Sequence, residues 1–121
     1  MSTTREHLAR AKQNLQFAQS FELETTPYID WVVTAYFYAA LHLVDAILWE
    51  RDRINPADHH DRNNLVRNKD YLKAIKTSYR TLKDRSEDAR YDLITFASAR
   101  IRNDVIPLYQ EIERHILSQL P

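Results

Sequence analysis

Trp31 to Trp49 reads WVVTAYFYAALHLVDAILW, and its only clearly polar residues are Thr34, His42 and Asp45. Almost every face of a helix with this sequence is apolar, so other elements must surround it. A helix of this length could just cross a bilayer, but His42 and Asp45 would be costly to place in hydrocarbon. We therefore predict the central helix of a folded core, and no membrane span.

Amphipathic sequence precedes this central helix. Thr3 and Glu6 have the spacing of a capping box, and the apolar residues that follow recur every three or four positions. This pattern predicts a first helix over roughly 4–21. Thr26 and Pro27 then predict that the central helix begins at that point, because proline is well tolerated in a first helical turn.

Three more helices are predicted after the central one. They lie at about 57–67, at about 70–86 and from about 103 onward, with residues 92–102 as either a connector or an extra helical turn. Asn55 and Pro56 would cap and begin the first of these helices. Pro107 would break a helix interior, so Asn103 or Asp104 is the best cap for the last one.

The composition favours an all-α fold. The chain has 121 residues, 44% of them hydrophobic, and no Gly, whereas tight β-hairpins usually need Gly. The lack of Cys excludes disulfides, thiolate ligands and a cysteine nucleophile, and the lack of Gly excludes glycine-rich phosphate loops. We predict one domain over residues 1–121, an antiparallel bundle of four to five helices. The central helix has more apolar surface than one chain can cover, which predicts a homodimer.

The charge is balanced overall but not locally. The whole chain carries 17 basic and 17 acidic residues, whereas residues 51–90 carry eleven basic and seven acidic ones. Seven of those eleven are Arg, which suits bidentate contact with phosphate. A solvated helix face would give the same count, so the sequence leaves both interpretations open.

Polar residues form a stripe along the central helix. At 100° per residue, Asp30, Thr34, Tyr38, His42 and Asp45 fall on one side of it. One interpretation is a functional site with His42 as its titratable member. The other is a set of ordinary polar contacts between helices.

A second polar cluster follows in the connector. His59 and Arg62 are three residues apart, so on a helix they share a face and could act together on one phosphate. Alternatively, Asp58 and Asp61 only favour the start of a helix, and the histidines are incidental.

The histidines and aspartates of these two clusters are ligand types that suit zinc or manganese. Their spacings match no recurring ligand motif. We therefore predict neither a metal nor any other cofactor.

Three stretches of the chain resemble proteins of the HEPN superfamily. They are Asp30 with the run from Tyr38 to Ala46, the region from His59 to Arg62, and the run from Tyr79 to Tyr91. The resemblance covers about residues 5–118 and is strongest to small stand-alone HEPN-like proteins of bacteria and archaea. It implies a four- or five-helix bundle that dimerises.

Many HEPN proteins are metal-independent endoribonucleases of toxin–antitoxin and other defence systems, and others are non-catalytic partners or nucleotide binders. The active ones carry Arg-x(4–6)-His, in which Arg stabilises phosphate charge and His moves protons. Here that spacing joins Arg53 to His59 and to His60, which is earlier in the chain than is usual in the family. The resemblance implies these candidate site residues: His59, His60, Arg62 and Arg53 as catalytic, and Tyr38, His42, Arg67, Arg90 and Tyr91 as substrate-binding.

Two main functions remain open from the sequence, with a metal-binding bundle enzyme as a lesser alternative. The first choice is a non-catalytic, cytoplasmic HEPN-like module that dimerises and binds a protein partner or RNA. The alternative is a metal-independent ribonuclease. A basic groove that collects the arginines would favour an RNA role, whereas arginines paired with aspartates would favour a structural role for those residues.

Overall fold

The structure is a computed structural model that describes residues 2–91 and 97–121. This part of the chain is helical and contains no strand, which confirms the predicted all-α bundle. The elements are α1 (Thr4–Gln19), α2 (Ile29–Asp52), α3 (His59–Asn68), a 3₁₀ helix (Asp70–Ile75), α4 (Lys76–Tyr91), α5 (Ser98–Arg100), a π-helical turn (Ile101–Val105) and α6 (Ile106–Gln119). Five of the described helices are ten residues or longer.

Helix α2 lies in the centre of the bundle and contacts α1, α4 and α6. It is long and apolar enough to cross a membrane, but 83% of its apolar stretch is buried inside the fold, as in the core helix of a soluble protein. The prediction of a homodimer assumed that one chain could not cover this surface. The structure weakens that argument, because the three neighbouring helices bury most apolar residues of α2 within a single chain, although Trp31 in its first turn is exposed.

The start of α2 differs from the prediction. The helix begins at Ile29, two residues beyond Pro27, and its N-cap is Tyr28, whose side chain makes no capping hydrogen bond. The backbone N–H groups of Thr25 and Thr26 donate to the carbonyl of Glu22, so these residues form a turn ahead of the helix. Local turn hydrogen bonds therefore outweigh the start signal that the proline supplies.

The start of α3 was also predicted wrongly. Asp58, and not Asn55, is the N-cap, because its carboxylate accepts from the N–H of Asp61 at 2.8 Å. The Asp61 carboxylate in turn accepts from the N–H of Ala57 at 3.0 Å. The side chain of Asn55 is held by residues of the N-terminal segment, so it is not available to cap.

The last helix starts earlier than predicted. It begins at Ser98 and continues through the π-helical turn into α6, so neither Asn103 nor Asp104 is its cap. The π-helical turn carries the chain to Ile106 and places Pro107, which lacks an N–H, in the first turn of α6. Of the segment predicted as a connector or an extra turn, residues 98–102 are helical, and residues 92–96 lie outside the described residues.

Candidate functional site

A buried ion pair joins α2 to α3. Arg62 donates from Nε to Oδ1 of Asp45 at 2.7 Å and from Nη2 to Oδ2 at 3.0 Å. Their side chains are only 10% and 5% exposed. Burial disfavours the charged guanidinium, but the hydrogen bonds and charge of Asp45 outweigh it and hold the pKa of Arg62 above its usual value. Arg62 is therefore a charged residue whose binding capacity is largely used inside the fold.

His59 lies beside this pair at the exposed start of α3. Its Nδ1 is 3.4 Å from Nη1 of Arg62, and its ring faces the rings of Phe37 and Tyr38 with centroids 6.3 Å away. Partial burial and the positive charge of Arg62 lower the pKa of His59. Of the four predicted catalytic residues, the structure brings these two together.

The other two lie elsewhere. Arg53 ends α2 in the left-handed conformation, with φ of 55°, and its guanidinium donates to the carbonyls of Trp49 and Glu50. It also stacks over the Trp49 ring at 5.6 Å. His60 Nε2 is 3.3 Å from Nδ2 of Asn64, on the outside of α3. The contacts of Arg53 are thus within its own helix end, and the Arg-x(4–6)-His spacing does not produce a paired Arg and His.

Tyr38, Arg90 and Tyr91, three of the predicted substrate-binding residues, do come together. Arg90 Nη1 donates to the Tyr38 hydroxyl at 3.2 Å, and its guanidinium lies over the Tyr38 and Tyr91 rings at 5.7 and 5.0 Å. Its Nε donates to the carbonyl of Ser86. Tyr91 is 71% exposed, so this stack forms part of the surface near the end of α4.

His42 faces α1 and lies beside His7. The two Nδ1 atoms are 3.5 Å apart, and Nε2 of His7 is 2.8 Å from Oδ1 of Asn55. Burial is the main cause that lowers the pKa of His42, and the nearby His7, Arg10 and Arg62 lower it further, against the opposite effect of Asp45. The neutral imidazole is therefore the favoured form of His42.

Sequence reasoning missed His7. One available signal was its position four residues before Ala11, on the buried stripe of α1, where a polar residue needs a partner. Nothing local could identify that partner, because His42 is 35 residues away in the chain.

A groove of about 600 Å³ lies between α3 and α4. Its lining residues include four cationic side chains and one acidic one, which are Arg67, Lys76, Arg80, Lys83 and Asp84. Lys83 is paired with Glu87 at 2.6 Å, and Arg67 donates to Asn64. Arg67 is a predicted binding residue, whereas the sequence did not single out Lys76, Arg80 or Lys83.

Comparison of the chain with family models, with curated proteins and with solved structures found no match.

Proposed function

We propose that this protein is a non-catalytic helical module that binds RNA through the groove between α3 and α4. The observation that carries the proposal is the charge of the groove, where four cationic side chains lie with one acidic residue in a chain of zero net charge. Lys83 is paired with Glu87, and Arg67, Lys76 and Arg80 still outnumber Asp84. Concentrated positive charge attracts the phosphate backbone and releases its counterions on binding. An RNA-related role is also what the resemblance to HEPN proteins implies.

The contacts of Arg62 support a non-catalytic role. In the Arg/His ribonuclease chemistry, the arginine must be free to bind the phosphate on which charge develops. Both carboxylate oxygens of Asp45 hold the Arg62 guanidinium, and the pair is buried. Moving Arg62 to a substrate would leave Asp45 as an unpaired buried charge, which is costly.

The proposal is tested by measuring the affinity for labelled single-stranded RNA over a range of salt concentrations, in EDTA. Binding should weaken with salt with a log–log slope of about −0.7 for each phosphate contact. The double variant Lys76→Gln/Arg80→Gln should bind about tenfold or more weakly, and its slope should be shallower by about 1.4, corresponding to two lost contacts.

The matched control is Arg5→Gln/Lys12→Gln, which removes two exposed charges from α1, away from the groove. It should bind RNA as the natural chain does. Equal losses in both double variants, or no RNA binding by the natural chain, would contradict the proposal. RNA cleavage in EDTA that is lost in His59→Ala/His60→Ala would overturn its non-catalytic part and support the ribonuclease alternative.

Dimerisation and a cytoplasmic location remain predictions. Among residues 2–91 and 97–121, the exposed large aromatic side chains outside the Arg90 stack are Phe17, Tyr28 and Trp31, which lie near the junction of α1 and α2. Light scattering of the natural chain and of Trp31→Ser gives the mass directly. A dimer that becomes a monomer in the variant would place the interface at this junction, and a monomeric natural chain would exclude a stable homodimer.

A further inference from the structure

Two histidines and an aspartate from different parts of the chain meet between α1 and α2. They are His7 in the first turns of α1, and His42 and Asp45 in α2, which are three residues apart and so share one helix face. One nitrogen from each ring and one carboxylate oxygen all lie within 4.8 Å of one another. His7 and Asp45 are buried, and His42 is half-buried, so solvent reaches the cluster only in part, at His42.

The hydrogen bonds of His7 determine which of its nitrogens is free. Nδ2 of Asn55 donates to the carbonyl of Ser2 at 3.1 Å, which orients the amide so that Oδ1 is directed at His7. An amide oxygen only accepts, so Nε2 of His7 must carry the proton in their 2.8 Å contact. In the neutral ring, Nδ1 then bears a lone pair, and this lone pair is directed toward Nδ1 of His42.

The separation of the two nitrogens matches that of two ligands on one metal ion. With Zn–N bonds of about 2.0–2.1 Å, two ligands of a tetrahedral zinc ion are about 3.3 Å apart. The two Nδ1 atoms are 3.5 Å apart. Metal-binding histidines also commonly donate their other N–H to an oxygen, as His7 does to Asn55.

We infer that His7, His42 and Asp45 form a binding site for Zn²⁺ or a similar divalent transition-metal ion, with Asn55 as a positioning residue. Arg62 occupies one lone pair on each oxygen of Asp45 and orients the carboxylate, and each oxygen keeps further acceptor capacity. Three protein ligands leave a coordination position for water, as in His₂-carboxylate metal sites. This inference is independent of the proposed RNA binding.

The charges around the cluster predict which ions bind. Arg62 balances the charge of Asp45, so affinity depends on the two imidazoles more than on net negative charge. Imidazole suits Zn²⁺, Co²⁺ and Ni²⁺, whereas Mg²⁺ and Ca²⁺ prefer oxygen ligands. We therefore expect Zn²⁺ and Co²⁺ to bind with one ion per chain, and Mg²⁺ and Ca²⁺ not to bind.

The test is titration of the EDTA-stripped protein with Zn²⁺, followed by calorimetry and by ¹⁵N NMR of the histidine rings. Zn²⁺ should shift the ring-nitrogen resonances of His7 and His42 and leave those of His60 and His115 in place. His42→Gln should lower the affinity by at least about 100-fold, and Asn55→Ala by about 10–100-fold, the usual effect of losing a group that orients a ligand.

The control is His60→Gln, which removes an exposed histidine outside the cluster and should bind Zn²⁺ as the natural chain does. His42 is half-buried, so its variant is checked for folding by circular dichroism before titration. Asp45 is left intact because its loss would leave the buried Arg62 charge without a counterion. Undiminished Zn²⁺ affinity in a folded His42→Gln, shifts confined to other histidines, or no binding by the natural chain would each overturn the inference.

Discussion

Arg62 and Asp45 form a bidentate ion pair that connects α3 to the buried centre of α2, with contacts of 2.7 and 3.0 Å. Arg62 is a predicted phosphate-contacting residue, whereas Asp45 belongs to the polar stripe of the central helix. Their pairing makes them first of all a structural contact, because a buried charge must be neutralised by a partner.

The first prediction concerns this pair. Asp45→Asn should lower the free energy of unfolding by about 3–5 kcal/mol, since it leaves the buried Arg62 charge without its counterion. Asp45→Leu/Arg62→Met should recover most of that loss, because it removes both charges together. Urea denaturation in EDTA measures both effects. A single variant as stable as the natural chain would show that the pair is not buried in solution.

The second prediction compares two buried phenols. The Tyr79 hydroxyl makes no hydrogen bond within residues 2–91 and 97–121, whereas the Tyr109 hydroxyl donates to Glu113 at 2.8 Å. Tyr79→Phe should therefore leave the stability unchanged or raise it, and Tyr109→Phe should lower it by about 1 kcal/mol. Thermal and urea unfolding give the comparison. A clear loss in Tyr79→Phe would mean that its hydroxyl has a partner in solution, such as a buried water.

The third prediction concerns the end of α2. The chain has no Gly, so Arg53 itself adopts the left-handed conformation that glycine usually supplies after a helix. Arg53→Gly removes a backbone cost of about 1–2 kcal/mol and some side-chain contacts, so we expect a net gain in stability below about 1 kcal/mol. Arg51→Gly, inside the same helix, should cost about 1 kcal/mol. Opposite signs for the two glycine variants in urea denaturation would confirm the conformation of Arg53.

The fourth prediction concerns pH. The lowered pKa of His59 means that the folded protein favours its neutral form. The unfolded chain protonates this histidine near pH 6.5, before the folded chain does, so stability falls as pH drops below about 6.5 and levels off beneath the folded pKa. NMR titration should place its midpoint below 6.5, and Arg90→Gln should raise it by removing a nearby positive charge. A midpoint at or above 6.5 would contradict the prediction.

The lowered pKa of His59 should also appear in the pH dependence of the unfolding free energy. The difference in unfolding free energy between the natural chain and His59→Gln should change over the same pH window, because other titrating groups are common to both chains. A difference that stays constant across this window would show that His59 is not the group responsible.

The local sequence pattern was sufficient to predict most of the helices. The apolar run of 31–49 predicted the central helix, and the capping box of Thr3 and Glu6 is present with both of its hydrogen bonds. Helix boundaries were less predictable. The turn before Ile29 and the π-helical turn before α6 depend on hydrogen bonds that compete with the local start signals.

The candidate sites were predictable only in part. Arg90 and Tyr91 were recognised as candidates, and the structure stacks them with Tyr38 from another helix. Arg67 was recognised as a candidate, but Lys76, Arg80 and Lys83 were not, because a row of positive residues on one helix has the same pattern whether it faces solvent or lines a groove.

Residue types and their periodicity alone therefore establish an all-α protein with α2 in its core, because burial follows the chemistry of each side chain along its own helix. The pairing of His7 with His42 and of Arg62 with Asp45 follows only from how the helices are rotated and packed against one another. Those relations join residues 35 and 17 positions apart, and local periodicity carries no information about them.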